Sequence, residues 1–220
     1  MSQTRCIQGG GAIGEQPVVQ IVDDDPSVRF ALTELLESAD FTTRSFSSAP
    51  AFLAADRPRT PSCVLLDMRL EEASGLDVQT AMRERRYAIP IIFMTGHGTI
   101  PMTVQAMKGG AVEFLTKPIA EDVLLEAVQT ALAIDAARID AESQTFDLRS
   151  RFDGLTPRER EVMALAVGGL MNKQLAAELG VSEITAKVHK RHVMEKMGAR
   201  SLPDLVLAAE RLGIGAAKRR

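Results

Sequence analysis

Residues 18–28 read "VVQIVDDDPSV", a greasy run that ends in three consecutive aspartates and a proline. Like charges at neighbouring positions repel, so the chain needs a reason to crowd Asp23, Asp24 and Asp25 at the end of a buried strand. Either a cation sits there or one of the three has another job. Asp25 stands immediately before Pro26, the arrangement of a helix N-cap whose carboxylate takes first-turn N–H groups. Asp23 and Asp24 are then left as a pair.

Working outward, "CVLL" (63–66), "PIIFM" (90–94) and "AVEFL" (111–115) are further short apolar runs. Such runs are expected of strands buried on both faces, and "FTTRSF" (41–46) reads as a weaker edge strand. Helical patterns fall between them, over 28–39, 49–55, 76–85 and 102–108, with another starting near Glu121. Strands alternating with helices predict a parallel five-stranded sheet covered on both faces, a flavodoxin-like doubly wound α/β domain. Ligand chemistry in that architecture belongs at the carboxyl ends of the strands.

Those ends are polar. Asp23 and Asp24 follow "QIV", Asp67 follows "CVLL", Thr95 follows "IIFM", and Thr116, Lys117 and Pro118 follow "AVEFL". Carboxylates facing a lysine and a hydroxyl suit a hard divalent cation and a phosphoryl group. A lone Asp after a strand is ordinarily a helix cap and a lone Lys-Pro a turn; four such signals in this order are much more specific.

The set "VDDD" with "VR", "LLDMRL…SGLD", "PIIFMTGHG" and "AVEFLTKP" resembles the receiver domain of bacterial two-component response regulators, over residues 17–136. The resemblance implies that Asp67 accepts a phosphoryl group from a sensor histidine kinase. It implies that Asp23, Asp24 and Asp67, with the backbone carbonyl of Arg69, hold Mg²⁺ or Mn²⁺. Lys117, joined to Pro118 by a cis peptide, would pair with the phosphoryl oxygens, Thr95 would hydrogen-bond one of them, and Phe114 would be the aromatic switch. His97 is read as a rim residue. The segment "RLEEASG" lacks the family's usual proline, and Glu71 and Glu72 there bear on loop geometry and kinase docking.

The net charge of −3 hides a division: residues 1–151 carry 14 Lys or Arg against 21 Asp or Glu, and residues 152–220 carry 12 against 8. A basic C-terminal part fits a polyanion partner, though a solvated charged face has the same composition. The Gly-rich segment 1–16 reads as a disordered leader. Cys6 lies in that polar leader and Cys63 in an apolar run, so a disulfide is not expected. No signal peptide or long apolar span is seen, so the expected location is cytoplasmic, away from membranes.

From Glu121 the helical pattern runs on through a linker, 137–151. Leu125, Leu132, Ile139 and Phe146 recur every seven residues, but Asp135 and Glu142 break the matching seam of a coiled coil; the alternative is a helix laying one apolar stripe on its own domain.

Residues 152–220 contain only short helical patterns. Thr156-Pro157-Arg158-Glu159 is a capping box with proline at the first helical position, and Gly168-Gly169 ends that helix. Asn172–Leu179 makes a second, stopped by Gly180; Ser182 caps a third to about Met197, and Pro203 opens a fourth. Two helices about the tight "LGVS" turn, the second basic, match a helix-turn-helix. This stretch resembles the LuxR-type DNA-binding domain, and the whole chain the FixJ-type regulators. On the third helix Ala186, Val193 and Met197 fall on one inward stripe. Thr185, Lys187, Val188, Lys190 and Arg191 take the other faces, where an exposed valine suits a thymine methyl and the cations suit base edges or phosphates. Asn172, Lys173 and Lys190 are best placed for phosphates. His189 and His192 are read as packing or phosphate residues.

The expected function is a phosphorylation-dependent transcriptional regulator, not an enzyme beyond its own phosphorylation and dephosphorylation. It would dimerise when phosphorylated, with promoter DNA and RNA polymerase as further partners. Two alternatives stand beside it: a constitutive DNA-binding regulator with a silent receiver, and an aspartyl-phosphate phosphohydrolase, for which neither a second catalytic acid nor a substrate cap is evident.

Overall fold

The computed structural model describes residues 16–215. The expected leader, save Gln16, and with it Cys6, lie outside that range, as do the basic residues 216–220. Five strands form one parallel sheet in the order β2-β1-β3-β4-β5: β1 (Val18–Val22), β2 (Thr42–Phe46), β3 (Ser62–Asp67), β4 (Ile91–Thr95) and β5 (Glu113–Thr116). The connecting helices are α1 (Pro26–Ser38), α2 (Ala49–Ala54), α3 (Gly75–Glu84) and α4 (Ile100–Lys108), and α5 (Glu121–Asp153) follows β5. This is the doubly wound arrangement expected from the alternation of patterns.

The pleat sends alternate side chains to opposite faces. Val64 and Leu66 join Val22, Phe93, Phe52 and Met82 on one side of the sheet. Cys63 and Leu65 join Val19, Ile21, Ile92 and Met94 on the other, beneath Leu36, Leu124 and Val128. Each fully buried Leu or Ile there contributes about 1.5–3 kcal/mol, and the two layers lock the register. That register places the site. Val22 pairs with Leu66, so the next residues, Asp23 and Asp67, leave the two central strands side by side. Thr95 pairs with Thr116, which puts Lys117 one step beyond.

Two expectations need correction. The run "AVEFL" is not a strand buried on both faces. β5 is the sheet edge, and only Leu115 of its four residues is buried. The seven-residue stripe is used only in part within the chain: Leu132 is buried and Leu125 packs on the same core, but Phe146 is 74 % exposed. The buried stripe of α5 is Leu124, Ala127, Val128, Ala131, Leu132 and Asp135. Asp135 is buried because it is satisfied. Its Oδ2 accepts the Ser62 backbone N–H at 2.8 Å, capping the start of β3, and its Oδ1 accepts from Arg138 Nε at 2.8 Å. The expected linker 137–151 is a continuous part of α5.

The chain divides into two compact units between Ile139 and Asp140. In the second, α6 (Pro157–Val167), α7 (Asn172–Leu179), α8 (Glu183–Met197) and α9 (Leu202–Arg211) enclose a core that includes Leu155, Val162, Met163, Leu175, Val193 and Leu205. The helix starts are set by capping: Thr156 with Glu159, Ser182 accepting from Thr185 N, and Ser201 with Asp204. α7 ends at Gly180, whose φ of +65° is the left-handed conformation a Cβ disfavours. Among the described residues no helix is long and apolar enough to cross a membrane.

Candidate functional site

The acidic site sits at the carboxyl edge of the sheet, where β1 and β3 lie adjacent and the chain order reverses, the usual binding crevice of such folds. Lys117 reaches into it from the end of β5. Its Nζ donates to Asp23 Oδ2 and to Asp67 Oδ1, both at 2.6 Å. Asp23 Oδ1 accepts the Asp25 backbone N–H at 3.0 Å, and Asp67 Oδ2 accepts that of Arg69 at 2.6 Å. Asp23 is 1 % exposed and Asp67 6 %, so two nearly buried carboxylates share one ammonium. Burial pushes the lysine pKa down, but hydrogen bonds to Asp23 and Asp67 outweigh it and hold it above the ordinary lysine value. The Lys117–Pro118 peptide is cis.

Of the three aspartates, Asp25 is the helix cap that its place before Pro26 implied. Asp25 Oδ1 caps α1, accepting from Ser27 N at 2.8 Å and Val28 N at 3.4 Å. Asp24 is half-buried. The gathering of Asp23, Asp24 and Asp67 on one point is not formed: among the described residues no three His, Cys, Asp or Glu side chains converge as a metal cluster. The Lys117 ammonium, wedged between Asp23 and Asp67, takes the place of that convergence. The donor set still fits a hard divalent cation, because Asp23, Asp24 and Asp67 all offer carboxylate oxygens and two of them already close on one positive charge.

Thr95, 1 % exposed at the end of β4, accepts the His97 backbone N–H on Oγ1 at 3.2 Å. Phe114 is half-buried, with its ring centroid 6.3 Å from that of Phe93. A Cβ at Gly98 would stand 3.0 Å from the Phe114 ring and 3.1 Å from Thr95 Cγ2, so this glycine lets the hydroxyl residue and the aromatic sit against one loop. Arg29 had no role assigned from the sequence. Its Nη1 donates to the backbone carbonyls of Asp23 at 2.7 Å and Asp24 at 2.9 Å.

The second unit presents α8. Ala186, Val193 and Met197 are buried, as the periodicity implied, and Thr185, Lys187, Val188 and Arg191 are exposed. Lys190 and Asn172 are half-exposed and Lys173 exposed. Arg191 Nε meets Glu195 Oε1 at 2.7 Å, a pair one helical turn apart that the sequence reading overlooked. Also overlooked was Ile184, one turn before Val188 and 79 % exposed; its spacing was the available signal. Lys196 Nζ donates to Glu159 Oε2 at 2.7 Å, tying α8 to the start of α6. That bond, with the Thr156 backbone N–H, pulls the Glu159 pKa down to about 2.

Family models match both units: residues 19–129 match the response regulator receiver domain, and residues 153–209 the bacterial regulatory proteins of the luxR family. Nodulation protein W of Bradyrhizobium diazoefficiens is 50 % identical over 210 residues, 95 % of this chain and 92 % of that one. The chain belongs to the response regulators. Transcriptional regulatory protein FixJ of the same organism is 40 % identical over 198 residues, covering 89 % of this chain and 96 % of that one. Among solved structures, response regulator StyR superposes with a TM-score of 0.80 at 46 % identity, over 90 % of this chain and all of that one. As a response regulator with a receiver and a LuxR-type DNA-binding domain, the protein is a transcriptional regulator, and this architecture implies a sensor kinase and promoter DNA as partners.

Proposed function

We propose that Asp67 is the phosphoacceptor, and that its phosphorylation by a sensor histidine kinase controls promoter binding by α8. The observation that carries this is the Lys117 ammonium held 2.6 Å from both Asp23 and Asp67 at the strand ends. Asp67 is the more accessible of the two carboxylates and lies at the end of a central strand. An Asp67 oxygen attacks the phosphorus of the kinase's phosphohistidine, the P–N bond breaks and the imidazole leaves. Lys117 already places positive charge where negative charge accumulates, which lowers the barrier to transfer. Asp23, Asp24, Asp67 and the Arg69 carbonyl are the groups that would hold Mg²⁺, or Mn²⁺ in its place. The bound ion supplies further charge neutralisation for the phosphoryl oxygens.

Once Asp67 carries the phosphoryl group, Lys117 follows it and Thr95 Oγ1 turns to donate to a phosphoryl oxygen. Phe114, packed against the same loop, follows Thr95 and changes the surface around α4 and β5. That altered surface favours a homodimer, which sets two α8 helices on two half-sites. There Lys187, Val188 and Arg191 read base edges with Thr185 beside them, while Asn172, Lys173 and Lys190 hold phosphates. The dimer bound at a promoter then acts on RNA polymerase. Every step lies in the cytoplasm.

Asp67→Asn is the test. Acetyl phosphate and Mg²⁺ should label the native protein covalently, read as a mass increase of the intact chain, and the variant should stay unlabelled. Labelling that persists in the variant would overturn the assignment.

A further inference from the structure

We propose that Arg29 is a positioning residue for magnesium, holding the backbone from which Asp23 and Asp24 project. This inference rests on the reading of those aspartates as metal-binding groups. The problem it addresses is set by the sequence. Three adjacent carboxylates repel one another, and a loop of that composition has no intrinsic reason to hold one shape.

The structure pins the loop at several points. Asp25 Oδ1 caps α1 through Ser27 N and Val28 N, and Asp23 Oδ1 takes the Asp25 N–H. Arg29, on the first turn of α1, closes the remaining side: a single guanidinium nitrogen donates to the Asp23 carbonyl at 2.7 Å and the Asp24 carbonyl at 2.9 Å. Two consecutive carbonyls aimed at one donor fix the peptide plane between the two aspartates, and with it the direction in which the Asp24 side chain leaves.

The choice of acceptor matters. A guanidinium this close to three aspartates ordinarily pairs with a carboxylate in a bidentate fork. Here it binds main-chain oxygens, and among the described residues Arg29 makes no ion pair with a carboxylate. Arg29 thus occupies no carboxylate oxygen that a cation would need, while its charge still offsets the mutual repulsion of the aspartates. Groups that orient metal ligands from behind typically matter about 10–100-fold for metal affinity.

The proposal separates from a purely electrostatic role by the sign of the effect. By Coulomb's law alone, removing a positive charge beside a cation site strengthens cation binding. Loss of positioning weakens it. Magnesium binding to the unphosphorylated full-length protein, followed by isothermal titration calorimetry, should be weakened about tenfold in Arg29→Gln. Arg29→Lys should fall between the two, because an ammonium retains charge and a donor but lacks the planar guanidinium. Labelling by acetyl phosphate should recover in Arg29→Gln when magnesium is raised. Far-UV circular dichroism melts establish that each variant is folded at the titration temperature; should Arg29→Gln fail there, the comparison of Arg29→Lys with the native protein decides. Magnesium affinity in the folded variant equal to or tighter than that of the native chain would overturn the proposal. Native protein that binds no magnesium would instead overturn the metal-site reading beneath it.

Discussion

In the pocket above β1 and β3, one ammonium is held 2.6 Å from two carboxylates that lie 94 and 50 residues before it in sequence. On α8, by contrast, Lys187, Lys190 and Arg191 stand within two turns of one helix, and the pair nearest them, Arg191 with Glu195, is purely local. The first arrangement exists only once the sheet is complete. The second exists as soon as α8 forms and turns its apolar stripe inward. Charge in the pocket is therefore assembled by the fold, while charge on α8 is displayed to solvent, where a polyanion can meet it.

The difference has energetic consequences, largest in the pocket. Removing one partner of a buried pair costs about 3–5 kcal/mol. With a quarter of the Lys117 side chain exposed, solvent screening reduces the expected loss in Lys117→Met to about 2–3 kcal/mol. Urea unfolding of the receiver unit in magnesium-free buffer should show that loss at neutral pH, and added Mg²⁺ should restore part of it. Unchanged stability without Mg²⁺ would mean that the pocket, like α8, holds its charges loosely.

On α8 the expected effect appears in binding and not in folding. Arg191→Ala should weaken promoter binding by about 1–3 kcal/mol, the worth of a base-reading contact, and leave the melting curve nearly unmoved, since the exposed Arg191–Glu195 pair is worth only about 0.3–0.5 kcal/mol. Footprints unchanged across a salt series would count against this face as the DNA contact.

Glu159 sharpens the comparison, for it is a carboxylate on the DNA-binding side held by a partner distant in sequence, Lys196. Its pKa is depressed from 4.5 to about 2 in the folded state. The stabilisation it gives is therefore complete above pH 4.5 and disappears as pH falls through about 2. Glu159→Gln should lower stability by about 1 kcal/mol at neutral pH, a figure already discounted for solvent screening. The gap to the native protein should narrow steadily from pH 4.5 downward. A pH-independent gap would assign the effect to lost helix capping instead of to charge.

The same contrast explains what could be read beforehand. Alternating apolar runs were enough for the sheet, and residues at strand ends for Asp23, Asp67, Thr95 and Lys117, because position at a strand end is a property of sequence order. The inward face of α8 was legible from period alone and the Thr156–Glu159 capping box from its residue types, whereas the boxes of Ser74 with Asp77 and Ser201 with Asp204 were not read. Asp135 was not. In a heptad frame it breaks a seam, whereas in the fold it caps the first N–H of β3, a partner 73 residues away. Lys196 with Glu159 and the convergence of Arg29 on two carbonyls escaped for related reasons: a capping or packing pattern does not say which long side chain will complete it. β5 misled because an apolar run looks alike at the edge of a sheet and at its centre.

Cys63 shows how the buried layer keeps reactive groups quiet, its thiol pushed up to about 12 by burial and by Asp135. The acidic pocket is the opposite case, a cluster of polar groups gathered at the open end of the sheet around Lys117. The coupling of that pocket to α8 is measured most directly by the affinity of the full-length protein for a promoter fragment, followed by fluorescence anisotropy with and without acetyl phosphate and Mg²⁺. The phosphodonor should tighten binding by the native protein at least about fivefold, the lower end of ordinary coupling between sites, and should leave Asp67→Asn unchanged. Equal affinity with and without phosphodonor in labelled native protein, or tightening in Asp67→Asn, would contradict control of DNA binding through Asp67.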